Sequence, residues 1–300
     1  MKLKTTIIRF LTKHADYQWL RNLYNNFFHV SSWIRYGDPY FPRIVTIEIS
    51  SHCNRACTYC PNVFSPQKPR LINEESFRKI VARLREIKYN GVVDFIFFSE
   101  PTLHPKLAKY VEIVKREVPW CMPRISTNGD FLTSDKTKAL VDAGLERVYV
   151  MRHVPTPEGW RENIDKLALE FPGVFVKMDI EEVERTVGLN HYGGLVEAKK
   201  VLRAVPNKDG SPSCRIHNHI AQITIDGDWN LCCTDWAKTI NFGNVIAKPI
   251  LDVWNDSLFV NMRKDLRGGK ATLKVCKDCF VFSNHGKEVT DVEYNKTFKS

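Results

Sequence analysis

Apolar positions along this chain change period repeatedly, and each change marks an element. Within residues 1–43, Trp19, Leu20, Leu23, Tyr24, Phe27 and Phe28 recur at the steps of a helix. "GDPYFPR" then ends it with Gly37, Pro39 and Pro42. A face of this kind packs on its own domain or lies on a membrane surface. From Arg43 onward, strand and helix signals alternate. "IVTIEIS" (44–50), "VVDFIFF" (92–98), "MPRIST" (122–127), "RVYVMRH" (147–153) and "VFVKMDI" (174–180) predict strands. Between them, residues 74–88 place Phe77, Ile80, Val81, Leu84 and Ile87 on one helical face, and 105–117 form a second helix. "SDKTKALVDAG" starts a third, with Ser134 as N-cap and Gly144 near its end.

Repeated strand–helix units imply an α/β fold with a parallel sheet, and their number fits a partial (β/α)6 barrel. Chemistry in such barrels sits at the C-terminal strand ends. After residue 205 the rhythm breaks. "PNKDGSPS" reads as a linker, and "AQITIDGDWNLCC" as a hairpin turning at Asp226-Gly227. Short helices follow at "ILDVWN" and "FVNMRKDLRGG", then "CKDC". The expected organisation is a helical extension over 1–43, the barrel over 44–205, a small α+β module over 206–282 and a polar tail over 283–300.

Composition is that of an ordinary globular protein, 43% apolar and 26% charged across 300 residues. No apolar run reaches the roughly 18 residues of a membrane span. Arg9 and Lys13 interrupt the only stretch resembling a signal peptide. A cytoplasmic location is expected. The net charge is +10, and seven Lys/Arg against two Asp put +5 in residues 1–43. That excess suits a solvated surface, an anionic substrate or partner, nucleic acid or a membrane. Basic residues do not interleave with aromatics, so no nucleic acid is expected. Nine cysteines, an odd number without a secretion signal, argue against a disulfide framework and for metal.

Three of them, Cys53, Cys57 and Cys60, crowd into "SSHCNRACTYCPN" directly after the first strand. A structural zinc site is normally closed by four protein ligands, and His52 could supply the fourth. A cubane held by three cysteines instead keeps one iron open. The spacing Cys-x3-Cys-x2-Cys, with the aromatic Tyr59 before the last cysteine, resembles the signature of radical S-adenosylmethionine (SAM) enzymes. "FFSEPTLHP" resembles that family's Gly-Gly-Glu-Pro motif, with Phe98 and Ser99 in place of the glycines. "STNGD" resembles its ribose and carboxylate contact region.

The resemblance implies SAM chelated to the open iron of a [4Fe-4S] cluster. Glu100 would hold the amino group of SAM, with Ser99, Ser126, Asn128 and Tyr59 as further contacts. One electron from the cluster would release a 5′-deoxyadenosyl radical that takes hydrogen from a substrate. Arg152, His153, Lys177 and Asp179, at the fourth and fifth strand ends, are candidates for the barrel mouth.

The remaining cysteines, with "IDGDWNLCC", "FGNV" and "ILDVWN", resemble the Twitch form of the SPASM extension. This implies a second [4Fe-4S] cluster on Cys214, Cys232, Cys276 and Cys279. Cys233 would exchange with Cys232, stay free, or donate a hydrogen atom to a substrate radical. Cys121 reads as structural. The layout resembles radical SAM dehydrogenases that oxidise a secondary alcohol of an aminocyclitol, with the second cluster taking an electron and Arg152 or His153 orienting or deprotonating the alcohol. The implied partners are a small molecule, favoured as anionic by the charge, and a flavodoxin or ferredoxin reductase. A radical epimerase, a peptide maturase and a zinc-stabilised basic module for RNA or membranes are the alternatives.

Overall fold

The computed structural model describes residues 18–63, 66–182, 213–277 and 279, with side chains of the first helix from Phe27 onward. Two units form. The first holds helix α1 (Gln18–Tyr36) and the turn after it. Gly37 ends α1 with φ of 72°, a left-handed value that glycine adopts freely, and its N–H donates to the carbonyl of Trp33. Ser32 donates to the carbonyl of Asp38 and His29 to that of Pro39. Phe27, Val30, Trp33 and Ile34 are exposed. Of the extension expected over 1–43, residues 1–17 lie outside the described residues.

The second unit begins at Pro42. Strand β1 (Ile44–Ile47) is followed by α2 (Glu74–Glu86), β2 (Val92–Phe95), α3 (Leu107–Glu117), β3 (Met122–Thr127), α4 (Ser134–Asp142), β4 (Arg147–Arg152), α5 (Trp160–Glu170) and β5 (Phe175–Asp179). Then come β6 (Ile220–Ile223), β7 (Asp228–Asn230), β8 (Asn241–Asn244), α6 (Ile250–Trp254), α7 (Ser257–Arg267) and α8 (Lys274–Lys277). All eight strands join one sheet in the order β5-β4-β3-β2-β1-β6-β7-β8. Pairs from β5 to β6 are parallel; β6–β7 and β7–β8 are antiparallel. The α/β class and parallel sheet are as expected. The sixth parallel strand, β6, belongs to the sequence beyond residue 205 and adds to the free edge of β1, so the sheet runs unbroken into the C-terminal part. The "PNKDGSPS" linker and the tail over 283–300 fall on residues not described, apart from Ser213.

Strand alternation divides the sheet's two faces. Val45, Val93, Phe95, Ile125, Val148 and Val150 are buried on the helix side. There Phe77 of α2 stacks on Phe95 at 6.1 Å and on Tyr110 of α3 at 4.2 Å. Thr46, Asp94, Arg124, Ser126, Tyr149 and Gln222 share the opposite face, and cross-strand register sets them side by side. Arg124 Nε donates to the buried Asp94 at 2.7 Å and lies 4.7 Å from the Tyr149 ring. This inner face is polar, as a ligand-holding barrel requires.

Several sequence boundaries shift. β1 and β2 stop at Ile47 and Phe95, three residues short of the predicted ends, because the chain there leaves the sheet for the loops of the mouth. The α4 cap is Thr133, whose oxygen accepts from Lys136 N–H, and Ser134 is the first helical residue. The Asp226-Gly227 hairpin forms as predicted, with Gly227 at φ of 85°.

Candidate active site

The triple-cysteine loop leaves β1 and is pinned before its first thiol. Ser51 Oγ donates to the carbonyl of Lys68 and accepts from Arg70 N–H. His52 Nδ1 pairs with Ser50 Oγ at 3.0 Å, and the His52 carbonyl accepts Glu100 N–H. Cys53 accepts the N–H of Arg55 at 3.5 Å, and Cys60 N–H donates to the Cys57 carbonyl at 2.9 Å. Burial pushes the Cys53 thiol up to about 11, and the charges of Glu100, Cys60 and Cys57 push the same way. Cys60 moves up through burial and the charge of Cys57. Three thiols that repel one another as thiolates, with backbone N–H groups turned to the sulfurs, fit a cationic iron centre that reverses that penalty. Among the described residues, no three His, Cys, Asp or Glu side chains stand close enough to hold a single metal ion. The cubane reading does not need them to, because a cluster spreads its ligands over several irons.

Arg55, inside the loop, straps it across the barrel mouth. Its Nε and Nη2 donate to the two oxygens of Asp130 at 2.8 and 2.5 Å, and its Nη1 to the carbonyls of His153 and Pro155 at 3.1 and 3.0 Å. Asn54 adds Nδ2 to Asp130 and accepts from Asn128 Nδ2, both at 2.8 Å. Burial alone raises Asp130. The Arg55 guanidinium and the Asn54 amide outweigh it and hold the carboxyl below its ordinary value. The hydroxyl of Tyr59 meets His153 Nδ1 in a very short hydrogen bond, and the rings stack 5.9 Å apart. Burial, then the charge of Arg55, pushes His153 down to about 4. Burial and Cys57 raise Tyr59.

Glu100 is a buried hub. One carboxylate oxygen accepts Thr102 N–H, Thr102 Oγ1 and Thr127 Oγ1 at 3.0, 2.5 and 2.6 Å; the other accepts Asn128 N–H at 2.8 Å. It therefore ties the β2 and β3 loops together, and only its second oxygen has room for another donor. Asn128 is committed as well, to Asn54 through Nδ2 and to Asp130 N–H through Oδ1. Ser126 Oγ lies 3.3 Å from Asp94 on the inner face, and Ser99 is half-buried.

The fourth and fifth strand ends divide. His153 reaches Tyr59 and the cysteine loop. Arg152 pairs in register with Asp179, on the side that Val148 and Val150 occupy, and is closed off by Asp179 at 2.5 Å, by Glu181 and by Thr156. Lys177, expected at the mouth, is exposed and bonded to Asp165 of α5, because its register partner is the helix-facing Val150.

The other cysteines gather beside β6 and β7. Cys214 N–H donates to the Leu266 carbonyl at the end of α7, and Cys279 N–H to the Cys276 carbonyl past α8. Burial, then the neighbouring thiols, pushes Cys214 and Cys276 up to about 12 and raises Cys232 strongly. Cys233 and Cys279 are among those neighbours. Five thiols thus share one region, and four of them suffice for a closed cluster. Cys121 is buried away from both groups. Sequence reasoning passed over Asn54, Arg55, Asp130 and Thr127. "CNR" and "TNGD" carried them, with no pattern linking one to the other.

The family model described as "Radical SAM superfamily" matches residues 47–190, and one described as "Iron-sulfur cluster-binding domain" (SPASM) matches 214–280. The chain is 28% identical over 239 residues to the S-adenosyl-L-methionine-dependent 2-deoxy-scyllo-inosamine dehydrogenase of Niallia circulans, covering 79% of this chain and 92% of that one. The crystal structure of BtrN in complex with AdoMet and 2-DOIA superposes with a TM-score of 0.71 at 26% identity, over 85% of this chain and 98% of the other. The AdoMet-bound structure of polyhistidine-tagged anSMEcpe shares the fold, with a TM-score of 0.58 at 14% identity over 86% of this chain and 91% of the other. Among the described residues, no helix is long and apolar enough to cross a membrane. With both of its cysteine groups inside matched regions, the chain belongs to the radical SAM superfamily, as an oxidoreductase using SAM, a SAM-binding [4Fe-4S] cluster and a SPASM-type auxiliary cluster.

Proposed function

We propose that this enzyme dehydrogenates a secondary alcohol of a small molecule of the sugar or aminocyclitol class. The observation that carries the reading is similarity over nearly the whole length of a dehydrogenase of that class. Cys53, Cys57 and Cys60 hold the SAM-binding cluster. Cys214, Cys276, Cys279 and either Cys232 or Cys233 hold the other. When bound, SAM and the first cluster supply a 5′-deoxyadenosyl radical that removes one hydrogen atom, and the second cluster accepts one electron; with loss of the hydroxyl proton, the alcohol becomes a carbonyl.

The protein must take that proton. His153 is the base we assign. Burial keeps its ring neutral at physiological pH. In the tautomer whose Nδ1–H donates to the Tyr59 oxygen, Nε2 carries the lone pair that accepts the proton. Arg152 is held charged by Asp179 and Glu181. Its part is to fix the ends of β4 and β5. Glu100 and Asn128 N–H shape the SAM pocket, with the second Glu100 oxygen open to the SAM ammonium. A flavodoxin or ferredoxin is the electron donor we assign, since an acidic carrier complements a +10 chain, and the same charge favours an anionic substrate. An odd number of cysteines, nine, suits a reducing cytoplasm.

The test is anaerobic turnover of reconstituted protein with SAM and a panel of aminocyclitols and sugars, reading 5′-deoxyadenosine and carbonyl product together. His153→Gln should lower turnover about 100-fold or more while both clusters stay loaded. Unchanged turnover removes His153 from the role. Cys233, a fifth thiol where four suffice, favours a second reading, epimerisation by hydrogen return. Deuterium uptake from solvent with no net oxidation would select it.

A further inference from the structure

The loop from Leu231 to Ile240 carries Cys232 and Cys233, and its internal geometry is fixed by its own bonds. Asp235 accepts Thr239 N–H, Thr239 Oγ1 and Ile240 N–H, while Asn230 Nδ2 donates to the carbonyls of Cys232 and Asp235. Such a loop moves as a body, so its placement depends on what ties it to the barrel. Two ties do so. Lys238 Nζ donates to both oxygens of Glu48 at 2.9 and 2.7 Å, and to Gln67 Oε1 at 3.3 Å. Glu48 follows β1 and precedes Cys53 by five residues; its side chain is fully buried, and it also accepts Ile225 N–H at 3.0 Å. The second tie is aromatic. Trp236 lies 4.4 Å from Phe98, which stands where the family motif has glycine, next to Ser99 and Glu100.

Lys238 holds this position at φ of 53°, in the left-handed region that a non-glycine residue avoids unless its surroundings enforce it. A Lys–Glu pair whose carboxylate is buried adds little stability over an apolar one of equal volume, because desolvation of Glu48 offsets the attraction. What it adds is register: only one placement of the loop satisfies both charges. We propose that Lys238 and Glu48, with Trp236 seated on Phe98, are positioning residues that set the auxiliary-cluster loop against the barrel mouth, so that electron removal from the substrate radical keeps pace with its formation. The Phe98 departure from the family motif then has a purpose, as the barrel's half of the seam. The inference rests on the dehydrogenase reading above.

The test compares loaded wild type with Lys238→Met and with the double variant Glu48→Gln/Lys238→Met. The single variant strands a buried carboxylate and can fail to load. The double variant removes both charges while keeping an acceptor for Ile225 N–H. Three quantities are read: iron per chain, hydrogen exchange of residues 231–240, and carbonyl product per 5′-deoxyadenosine. The double variant should keep its iron and its deoxyadenosine formation. Its loop should exchange faster, and product per deoxyadenosine should fall about tenfold or more, the scale on which small misplacements act. Wild-type exchange and a wild-type ratio in the double variant would overturn the proposal. If wild type itself forms deoxyadenosine but no carbonyl, the dehydrogenase reading fails by itself. Loop exchange then decides the seam: faster exchange supports it and unchanged exchange overturns it.

Discussion

Arg55→Gln is the perturbation whose size the structure sets most directly. The guanidinium donates four hydrogen bonds, two to a carboxylate and two to carbonyls, and it and Asp130 are only 10% and 12% exposed. Removing one partner of a buried pair costs about 3–5 kcal/mol. The rim of the mouth admits some water, so we take about 3 kcal/mol for Arg55→Gln and about 2 kcal/mol for Asp130→Asn, whose amide oxygen still accepts. The double variant should lose about 3 kcal/mol, a coupling of about 2 kcal/mol. In an anaerobic melt of the loaded protein, roughly 2 °C per kcal/mol converts these to midpoint drops of about 6, 4 and 6 °C. Iron release to a chelator should speed in all three, because the strap holds the loop between Cys53 and Cys57. The strap also sets a pH dependence. Asp130 titrates below its unfolded value, so its contribution is complete above the unfolded carboxylate range near pH 4 and is lost as pH falls through the lower folded value. Losses that simply add in the double variant, or an acid limb unchanged in Asp130→Asn, would refute the strap.

Glu100→Gln places an amide NH2 among four donors and should cost about 2–4 kcal/mol while abolishing SAM binding, measured by equilibrium dialysis. Phe77→Ala should cost about 3–5 kcal/mol in the melt with no change in either cluster's spectrum, since Phe77 packs on the helix side of the sheet. Of Cys232→Ala and Cys233→Ala, one should lose the auxiliary cluster's iron and the other keep it; equal retention would mean that the two thiols substitute for each other, and equal loss would overturn the assignment of a single ligand to this pair. Arg152→Lys should lower the melting midpoint and spare deoxyadenosine formation, because the guanidinium serves Asp179 and Glu181.

The three-thiol loop was legible because its chemistry lies within eight residues and its neighbours, "SEP" and "STNGD", end predicted strands. Arg152 and Lys177 were harder. A strand end read in isolation does not reveal which parity faces the mouth, and only the register of β4 with β5 turned both away. Glu100 was legible as a carboxylate in the right motif. Its service to Thr102, Thr127 and Asn128 was not, since those contacts require β2 and β3 to be side by side.

The sequence alone determined the elements and the thiols, because hydrophobic period and ligand spacing are local properties that survive without a fold. The tertiary structure decided where β6 docks, which side chains face the mouth and what holds each cluster loop. Arg55 meets Asp130 across 75 residues and Lys238 meets Glu48 across 190. No periodicity encodes pairs so distant. The first exists because parallel pairing of β1 with β2 and of β2 with β3 brings the loops beyond β1 and β3 to one end of the sheet, the second because β6 docks on β1 and carries the β7–β8 loop with it.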